Sequence, residues 1–507
     1  MKAYLMYRDR DFDLAAALPP QSAELEQDLA LDVLFGAMAE GDRFLRGVAR
    51  VAILTGLERP DDIRYRQQIL ADCLEQPTMA RELYAVAIDA IEREKKIWGV
   101  FGGPSPGPVL HRSVQVLALF SELLRRLRLI ADRYAGSIHS EGFTRFFRMI
   151  ADDLDDRYLG VVDDHLRRLA FREGVFISAS LGQGNKGVDH VLRQPGRARK
   201  SWIRHVLPDR SRLVYEIADR DEAGARALDE LRDRGLGLAA RAVAQSTDHI
   251  LSFFTMLRTE LAFYVGCLNL REQLARKGEP VCLPNPTPSG HPVLSALGLY
   301  DVSLSLSVEE RVVGNDVDAD HRSLVMITGA NRGGKSTFLR SVGLAQLMMQ
   351  SGMYVAAESF RANVCDRVFT HFKREEDATM QSGKLDEELK RMSAIIDHVT
   401  PRSAVLLNES FASTNEREGS EIARQIVRAL EESGVRVVYV THLFDLAHGF
   451  HAERAETALF LRAERRADGT RTYRLVEGEP LPTSHADDVY RRIFGAALGG
   501  VAAGPLA

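Results

Sequence analysis

The chain has 507 residues, too many for one ordinary hydrophobic core, so two to four domains are expected. With 45% hydrophobic and 27% charged residues it has the composition of a globular protein, not a disordered or fibrous one. A net charge of -5 argues against wholesale nucleic-acid binding, and no run approaches the roughly 18 apolar residues needed to span a bilayer. Charges interrupt the opening MKAYLMYRDRDFD, where a secretory signal would be apolar. The four cysteines (Cys73, Cys267, Cys282, Cys365) are scattered without a CxxC pair, which disfavours a zinc ribbon or a disulfide framework and leads to the expectation of a reducing cytoplasm.

Residues 1–24 read as a tail or a short ordered arm, and 25–278 as a helical region. LALDVLFGAMAEGDRFLRGVARVAIL and ARELYAVAIDAIEREKKI repeat apolar residues at i, i+3, i+4 and i+7, the spacing of one helix face. FGGPSPGP at 101–108 breaks this pattern, since Gly and Pro stop helices. It resumes in VLHRSVQVLALFSELLRRLRLIADRY and FTRFFRMIADDLDDRYLGVVDDHLRRLA. GVFISASLGQGNKGVDHVL, 174–192, is Gly-punctuated and β-branched, so two short strands are expected, with RLVYEIA as a third. Between them, residues 193–212 hold seven Lys/Arg against one acid, Asp209. That stretch is either a solvated loop or a polyanion contact through Arg197, Arg199, Lys200 and Arg204.

Helix returns from about Asp221 to Lys277, and the Pro-rich EPVCLPNPTPSGHP, 279–292, reads as a linker and domain boundary. Residues 293–497 alternate strands and helices. SLVMITG, SAVLLNES and RVVYVTH are near-continuous apolar runs, as strands covered on both faces should be. ALFLRAERRADGTRTYRLVEG reads as a hairpin turning at Asp468-Gly469, and 498–507 as a tail.

GANRGGKST, Gly329 to Thr337, fits G-x-x-x-x-G-K-[ST] with a buried strand before it and an amphipathic helix after it, the context that makes the pattern specific. Glycines let the backbone N–H groups of Gly329, Ala330, Asn331, Arg332, Gly333 and Gly334 close round phosphates, and the helix N-terminus adds the positive end of its dipole. Lys335 is expected to reach the β- and γ-phosphates of ATP, and Ser336, followed by Thr337, to ligate Mg²⁺. The next strand ends in Asn408-Glu409, where ATPases of this type normally carry Asp then Glu. Glu409 there would orient or deprotonate the attacking water, and residue 408 would support the Mg²⁺ shell. His442, after the third strand, is a candidate sensor of the γ-phosphate, or else a structural residue.

Together with HPVL (291–294), VVGND (312–316), DRVFTHF (366–372) and VTHLFDL (440–446), this loop and the GLAQLMMQSGMYVAA that follows resemble the ATPase domain of the MutS family of DNA mismatch-repair proteins over about 290–460. The resemblance implies a multidomain chain. An all-α core and lever region with a small β-containing, clamp-like insertion at 174–215 would precede an α/β P-loop domain of the ABC type. It also implies two subunits sandwiching ATP, a homodimer being the simplest form, with a trans-acting signature serine near Ser382 and a dimer-contacting loop at SFASTNEREG.

The departures are as informative. The family's mismatch-repair enzymes carry a Phe-x-Glu wedge in an N-terminal domain, and nothing here resembles that domain or the connector; the Phe-x-Glu triplets at Phe120 and Phe171 fall in helical or helix-end sequence and read as coincidence. No nuclease domain is expected after the ATPase region, the signature is not the usual STF, and residue 408 is Asn.

Three readings of these residues compete. The first is a slow, Mg²⁺-dependent, dimeric ATPase acting on branched or otherwise unusual duplex DNA, with repair proteins as further partners. A nucleotide-gated protein-interaction switch without a DNA role is the alternative. The ATPase subunit of a membrane transporter is disfavoured, because its LSGGQ-like signature would lie nearer the second acidic strand, and no membrane partner is expected.

Overall fold

A computed structural model of the chain describes residues 1–97, 105–172, 174–194, 216–288, 290–374, 383–466 and 470–481. The elements begin with eight helices: α1 (Ser22–Asp28), α2 (Leu31–Ala39), α3 (Arg43–Thr55), α4 (Pro60–Glu75), α5 (Pro77–Lys96), α6 (Pro106–Tyr134), α7 (Glu141–Asp153) and α8 (Asp156–Leu169). Strands β1 (Phe176–Leu181) and β2 (Gly187–Arg193) then lead to the long α9 (Glu222–Arg276). After β3 (Asn285–Thr287) and β4 (Leu294–Leu299) come α10 (Val302–Ser307), β5 (Asn315–Asp318), β6 (Leu324–Thr328) and α11 (Lys335–Gln350). The remainder is β7 (Ser359–Asn363), β8 (Val368–Phe372), α12 (Lys384–Ile396), β9 (Ala404–Asn408), α13 (Glu416–Glu432), β10 (Arg436–Val440), α14 (Phe444–Arg454), β11 (Leu459–Arg465) and β12 (Arg471–Glu477).

Two compact units divide the chain. One comprises Met1–Ala3, Thr78–His139 and Phe143–Leu261; the other comprises Tyr4–Pro77, Ser140–Gly142 and Ala262–Ala507. The first is helical, its core built by apolar stripes that recur at helical spacing. Phe120 of α6 meets Phe254 of α9 at 5.5 Å between ring centroids, and Phe253 meets Phe146 of α7 at 6.5 Å. The two strands expected near 174–192 form an antiparallel pair, β1 with β2, running from Phe176 opposite Arg193 to Leu181 opposite Gly187. Of the strand expected at RLVYEIA, residues 212–215 lie outside the described residues and 216–218 are not in a strand. Helix α6 starts at Pro106, within the expected turn, because Pro is tolerated in the first helical turn, where its missing N–H has no partner to lose. An apolar window of α9 has mean hydropathy 1.3, enough by length and composition to cross a membrane, and 67% of that window is buried inside the protein.

The second unit is built on a six-stranded sheet in the order β12-β11-β6-β10-β9-β8, parallel except for the edge strand β12. The three apolar runs of the sequence are its β6, β9 and β10, and every residue of β6 is buried. Val, Ile and Leu on both faces suit a strand covered on both sides. On one face Phe369, Val405, Leu407, Val427, Tyr439 and Phe450 belong to a single buried cluster. A second sheet, β3-β7-β4-β5, has mixed directions. Its strand β3 lies inside 279–292, so the segment expected to be a linker pairs with β7, and Cys282 bridges to Val355.

The N-terminal residues are an ordered arm. Leu5, Met6 and Phe12 are buried, and Tyr65 and Tyr264 donate hydrogen bonds to the carbonyls of Tyr4 and Leu5 at 2.6 and 2.5 Å. Arg66 of α4 is buried and donates to the carbonyls of Met6 (3.0 and 3.2 Å) and of Ser351, at the end of α11 (2.8 Å). A helix C-terminus carries partial negative charge, so a guanidinium suits that place.

Candidate functional site

The carboxyl ends of β6, β9 and β10 lie side by side in register: Val440 pairs with Asn408 on one side and with Ile327 on the other. Every sequence-expected residue of the loop, together with Asn408, Glu409 and His442, sits at that end of the sheet. In open parallel α/β sheets this is the end where ligands bind.

The loop itself turns where glycine allows it. Gly329 and Gly334 have φ of 114° and 92°, values that suit a residue without Cβ, and Arg332 also takes a left-handed φ of 60°. The neighbouring hairpin fixes the rest. A Cβ on Gly333 would stand 2.7 Å from the Ala463 Cβ of β11, and one on Gly329 would stand 2.9 Å from the Ala463 nitrogen. Strands β11 and β12 are antiparallel, as expected, although the turn residues Asp468 and Gly469 lie outside the described residues.

Helix α11 opens at Lys335 with Gly334 before it and no side-chain cap, so the positive end of its dipole faces the loop. Lys335 is 4% exposed, and its Nζ donates to the carbonyls of Gly329 (2.8 Å) and Ala330 (3.0 Å). Burial pulls the ammonium below its ordinary pKa, and Glu409 acts in the opposite direction. The next residue, Ser336, donates from Oγ to Asn408 Oδ1 at 2.9 Å.

Glu409 has φ of 53° and donates its N–H to the Val440 carbonyl at 2.8 Å, so the strand ends in a sharp turn that is strained for a residue with a side chain. Its Oε1 lies 3.7 Å from His442 Nδ1. The carboxyl is held below the usual carboxylate range, first by the His442 ring and also by the Lys335 and Lys373 ammonium groups, against the opposing effect of burial. At 3.7 Å the His442 contact is longer than a formed hydrogen bond.

Beyond Glu409 lies a buried cluster that the sequence did not single out. His371 of β8 is buried, with Nδ1 2.7 Å from Ser410 Oγ and Nε2 2.9 Å from the Glu388 carbonyl of α12. Burial first, then Arg391, depress its pKa to about 4, so the ring is neutral at neutral pH: Nε2–H donates to the Glu388 carbonyl, while the Ser410 hydroxyl beside Nδ1 donates to the His371 carbonyl at 2.7 Å. The one signal in the sequence was the place of His371 in the apolar run VFTHF, where a polar ring must find partners.

A cavity of about 630 Å³ opens beside the loop, lined by Tyr300, Leu304, Val312, Phe338 and Tyr473 and reaching Gly334. Its outer wall is the segment around VVGND. Asn315 ties that segment to the hairpin, donating to the Tyr473 carbonyl at 3.2 Å and accepting from the Leu475 N–H at 2.7 Å. Glu279 holds the wall from behind, accepting from the Val312 N–H at 2.9 Å and the Ser305 hydroxyl at 3.0 Å.

Other expected positions have different fates. Ser382 and the basic residues Arg197, Arg199, Lys200 and Arg204 lie outside the described residues. Phe120 is fully buried in α6, which agrees with reading its Phe-x-Glu triplet as coincidence. No group of three or more His, Cys, Asp and Glu side chains suited to a metal occurs among the described residues.

Comparison with known proteins places these features. The family model for the MutS2 N-terminal domain matches residues 58–277, and that for MutS domain V matches 325–489. The DNA mismatch repair protein MutS of Chloroflexus aurantiacus is 34% identical over 145 residues, 28% of this chain and 15% of its own length. That of Synechococcus elongatus is 28% identical over 291 residues, 54% of this chain and 30% of its own. The probable DNA mismatch repair protein Msh6 of Drosophila melanogaster is 35% identical over 156 residues, 30% of this chain and 13% of its own. The chain thus spans less than a third of the length of each of these relatives. With 58–277 and 325–489 matched to MutS domains, which together exceed half of its length, the chain belongs to the MutS family.

Proposed function

We propose that this protein is a slow, Mg²⁺-dependent ATPase that works as a homodimer on branched or otherwise unusual duplex DNA, without itself reading mismatches. The observation that carries the reading is the convergence at one end of a parallel sheet: a glycine loop closed on buried Lys335, the Ser336–Asn408 bond, and Glu409 beside His442. In this reading 293–497 is a P-loop ATPase domain of the ABC type. Residues 25–278 are the core and lever with a clamp-like insertion at 174–215, joined through 279–292 and flanked by an arm (1–24) and a tail (498–507). The place of work is the cytoplasm, with other repair proteins as partners.

The residues fit the nucleotide. An uncapped helix N-terminus preceded by glycines suits phosphates, and the cavity at Gly334 suits a base. Ser336 and Asn408 offer adjacent hard oxygen donors to Mg²⁺, directly or through water. When bound, Mg²⁺ supplies positive charge that screens the phosphates. Lys335 holds the β- and γ-phosphates, Glu409 accepts the proton of the attacking water, and His442 donates to the γ-phosphate. Glu409 suits the base role because neighbouring positive groups keep it ionised. Asn408 keeps the shape of Asp without its charge, so turnover is slowed and not abolished. Ser382 and the SFASTNEREG loop would face ATP held by the second subunit. Arg197, Arg199, Lys200 and Arg204 would meet the DNA backbone.

The test is ATP turnover of the wild type and Glu409→Gln, each alone and with duplex, forked and junction DNA. Turnover stimulated by one DNA form, and an ATP-trapped dimer in Glu409→Gln, are expected. Unchanged turnover in Glu409→Gln refutes its role, and failure of every DNA to bind at low salt refutes the DNA role. The net charge of -5 favours a second reading, a nucleotide-gated protein-interaction switch. Charge reversal at the four basic residues separates the two, since loss of salt-dependent DNA binding supports only the first.

A further inference from the structure

Glu388 lies outside the residues that meet nucleotide in the reading above, yet it is bonded to the turn that carries Glu409. It sits on α12, 5% exposed, and both carboxylate oxygens are engaged by the segment just beyond Glu409. Oε2 accepts the Phe411 N–H at 2.8 Å and Oε1 accepts the Ser413 hydroxyl at 2.9 Å. The same segment is gripped from the sheet: the Tyr439 hydroxyl donates to the Ser410 carbonyl at 2.6 Å, and the His371 ring stacks on Phe411 at 5.3 Å. His371 in turn donates to the Glu388 backbone carbonyl.

This bonding holds an unfavourable backbone. Glu409 and Phe411 have φ of 53° and 63°, left-handed values for residues with side chains. Each is strained and persists only where surrounding bonds over-determine it. Phe411 is fully buried, so its N–H has no water to turn to. A carboxylate is the strong acceptor for that N–H, and its second oxygen fixes Ser413. Burial pushes the Glu388 carboxyl upward, while the Ser413 and Phe411 bonds and the charges of Lys373 and Arg391 pull it back toward the ionised form.

We propose that Glu388 is a positioning residue for hydrolysis: through Phe411 and Ser413 it holds Glu409 in the turn that aims its carboxylate at the attacking water, and it takes no part in binding nucleotide. This rests on the ATPase reading above. Truncating Glu388 frees the 410–413 segment, and Glu409 relaxes away from its strained φ. The loop at 329–337, Ser336–Asn408 and the cavity keep their own bonds.

The experiment measures kcat and KM for Mg²⁺-ATP, and the affinity for a fluorescent ATP analogue, in the wild type, E388A, E388Q and Ser413→Ala. Since misplacing a reacting group by about 1 Å costs about a hundredfold, E388A is expected to lose kcat by roughly ten- to a hundredfold. Affinity for the analogue measured on the separated subunit, where the 410–419 loop meets no partner ATP, should stay within about twofold. E388Q keeps an acceptor for Phe411 and a partner for Ser413, so it should remain within about fivefold of wild type, and Ser413→Ala should fall between. Should E388A fail to fold, Ser413→Ala decides, because it removes only a hydroxyl. Unchanged kcat in E388A or Ser413→Ala overturns the inference alone. So does a parallel loss of analogue affinity, or E388Q as impaired as E388A. A wild type without turnover overturns the ATPase reading as well.

Discussion

Replacing Asn408 by Asp gives the Ser336 hydroxyl, 2.9 Å away, a charged acceptor in place of a neutral one. A neutral hydrogen bond contributes about 1 kcal/mol net and one to a charged group about 1.5–3, so the gain is about 1–2 kcal/mol. In an equilibrium that gain is roughly five- to thirtyfold. The new carboxylate also stands next to Glu409, whose own carboxyl is held low by the His442 ring and the Lys335 and Lys373 ammonium groups. Two neighbouring carboxylates at a partly exposed site repel by about 1–3 kcal/mol. The two effects nearly offset in EDTA, and the variant is expected to gain more in melting temperature than wild type when Mg²⁺ is added with ATP. Turnover against Mg²⁺ concentration should show half-saturation roughly five- to thirtyfold lower, with kcat unchanged or raised. Half-saturation that stays put or rises, or a collapse of kcat, refutes the reasoning; a collapse would mean that the Asn408 amide donates a bond no carboxylate can make.

Two further outcomes concern stability. The pKa of His371 is depressed to about 4 by burial, whereas an unfolded histidine titrates near 6.5, so the unfolded chain binds the proton first as pH falls. Its contribution is complete above about pH 6.5 and lost on the way down to about 4. Denaturant unfolding of His371→Gln between pH 6.5 and 5 should show a pH-dependent loss smaller than that of wild type by about 1.5 kcal/mol, and equal slopes would refute the assignment. Arg66→Ala leaves the Met6 and Ser351 carbonyls without their donor and a cavity between the Tyr7 and Phe263 rings. Unfolding in urea should reveal a loss of about 3–5 kcal/mol, and a change below about 1 kcal/mol would refute the role given to the guanidinium.

The elements legible in the sequence were those whose own residues dictate them. β6, β9 and β10 announce themselves because burial on both faces demands unbroken Val, Ile and Leu, and the loop at 329–334 because glycines stand where φ reaches 114° and 92°. The β3-β7-β4-β5 sheet escaped notice: β3 contains a proline, β5 has four residues, and β4 is stabilised by partners distant in sequence. The same holds for the site. Lys335, Ser336, Asn408, Glu409 and His442 follow from spacing along the chain. Glu388 and His371 do not, because a glutamate in an amphipathic helix reads as a solvent-facing residue until the fold brings Phe411 and Ser413 to it. Residues 1–24 could be read only as a tail or an arm, since what buries Leu5 and Met6 comes from elsewhere in the chain.

The grip of Arg66 on the end of α11 also sets an order of events during synthesis. Its acceptor on Ser351 lies 285 residues downstream, and the Tyr264 hydroxyl that holds Leu5 lies 259 residues downstream. At about 5–20 residues per second, the ribosome takes roughly 15–60 s to deliver Ser351 after Arg66 has emerged. For that interval the arm and the first four helices have neither the sheet nor the carbonyls they finally pack against, and their apolar faces stand open. The unit that holds the candidate site therefore closes late, when the end of α11 arrives and the earliest residues of the chain are drawn in last.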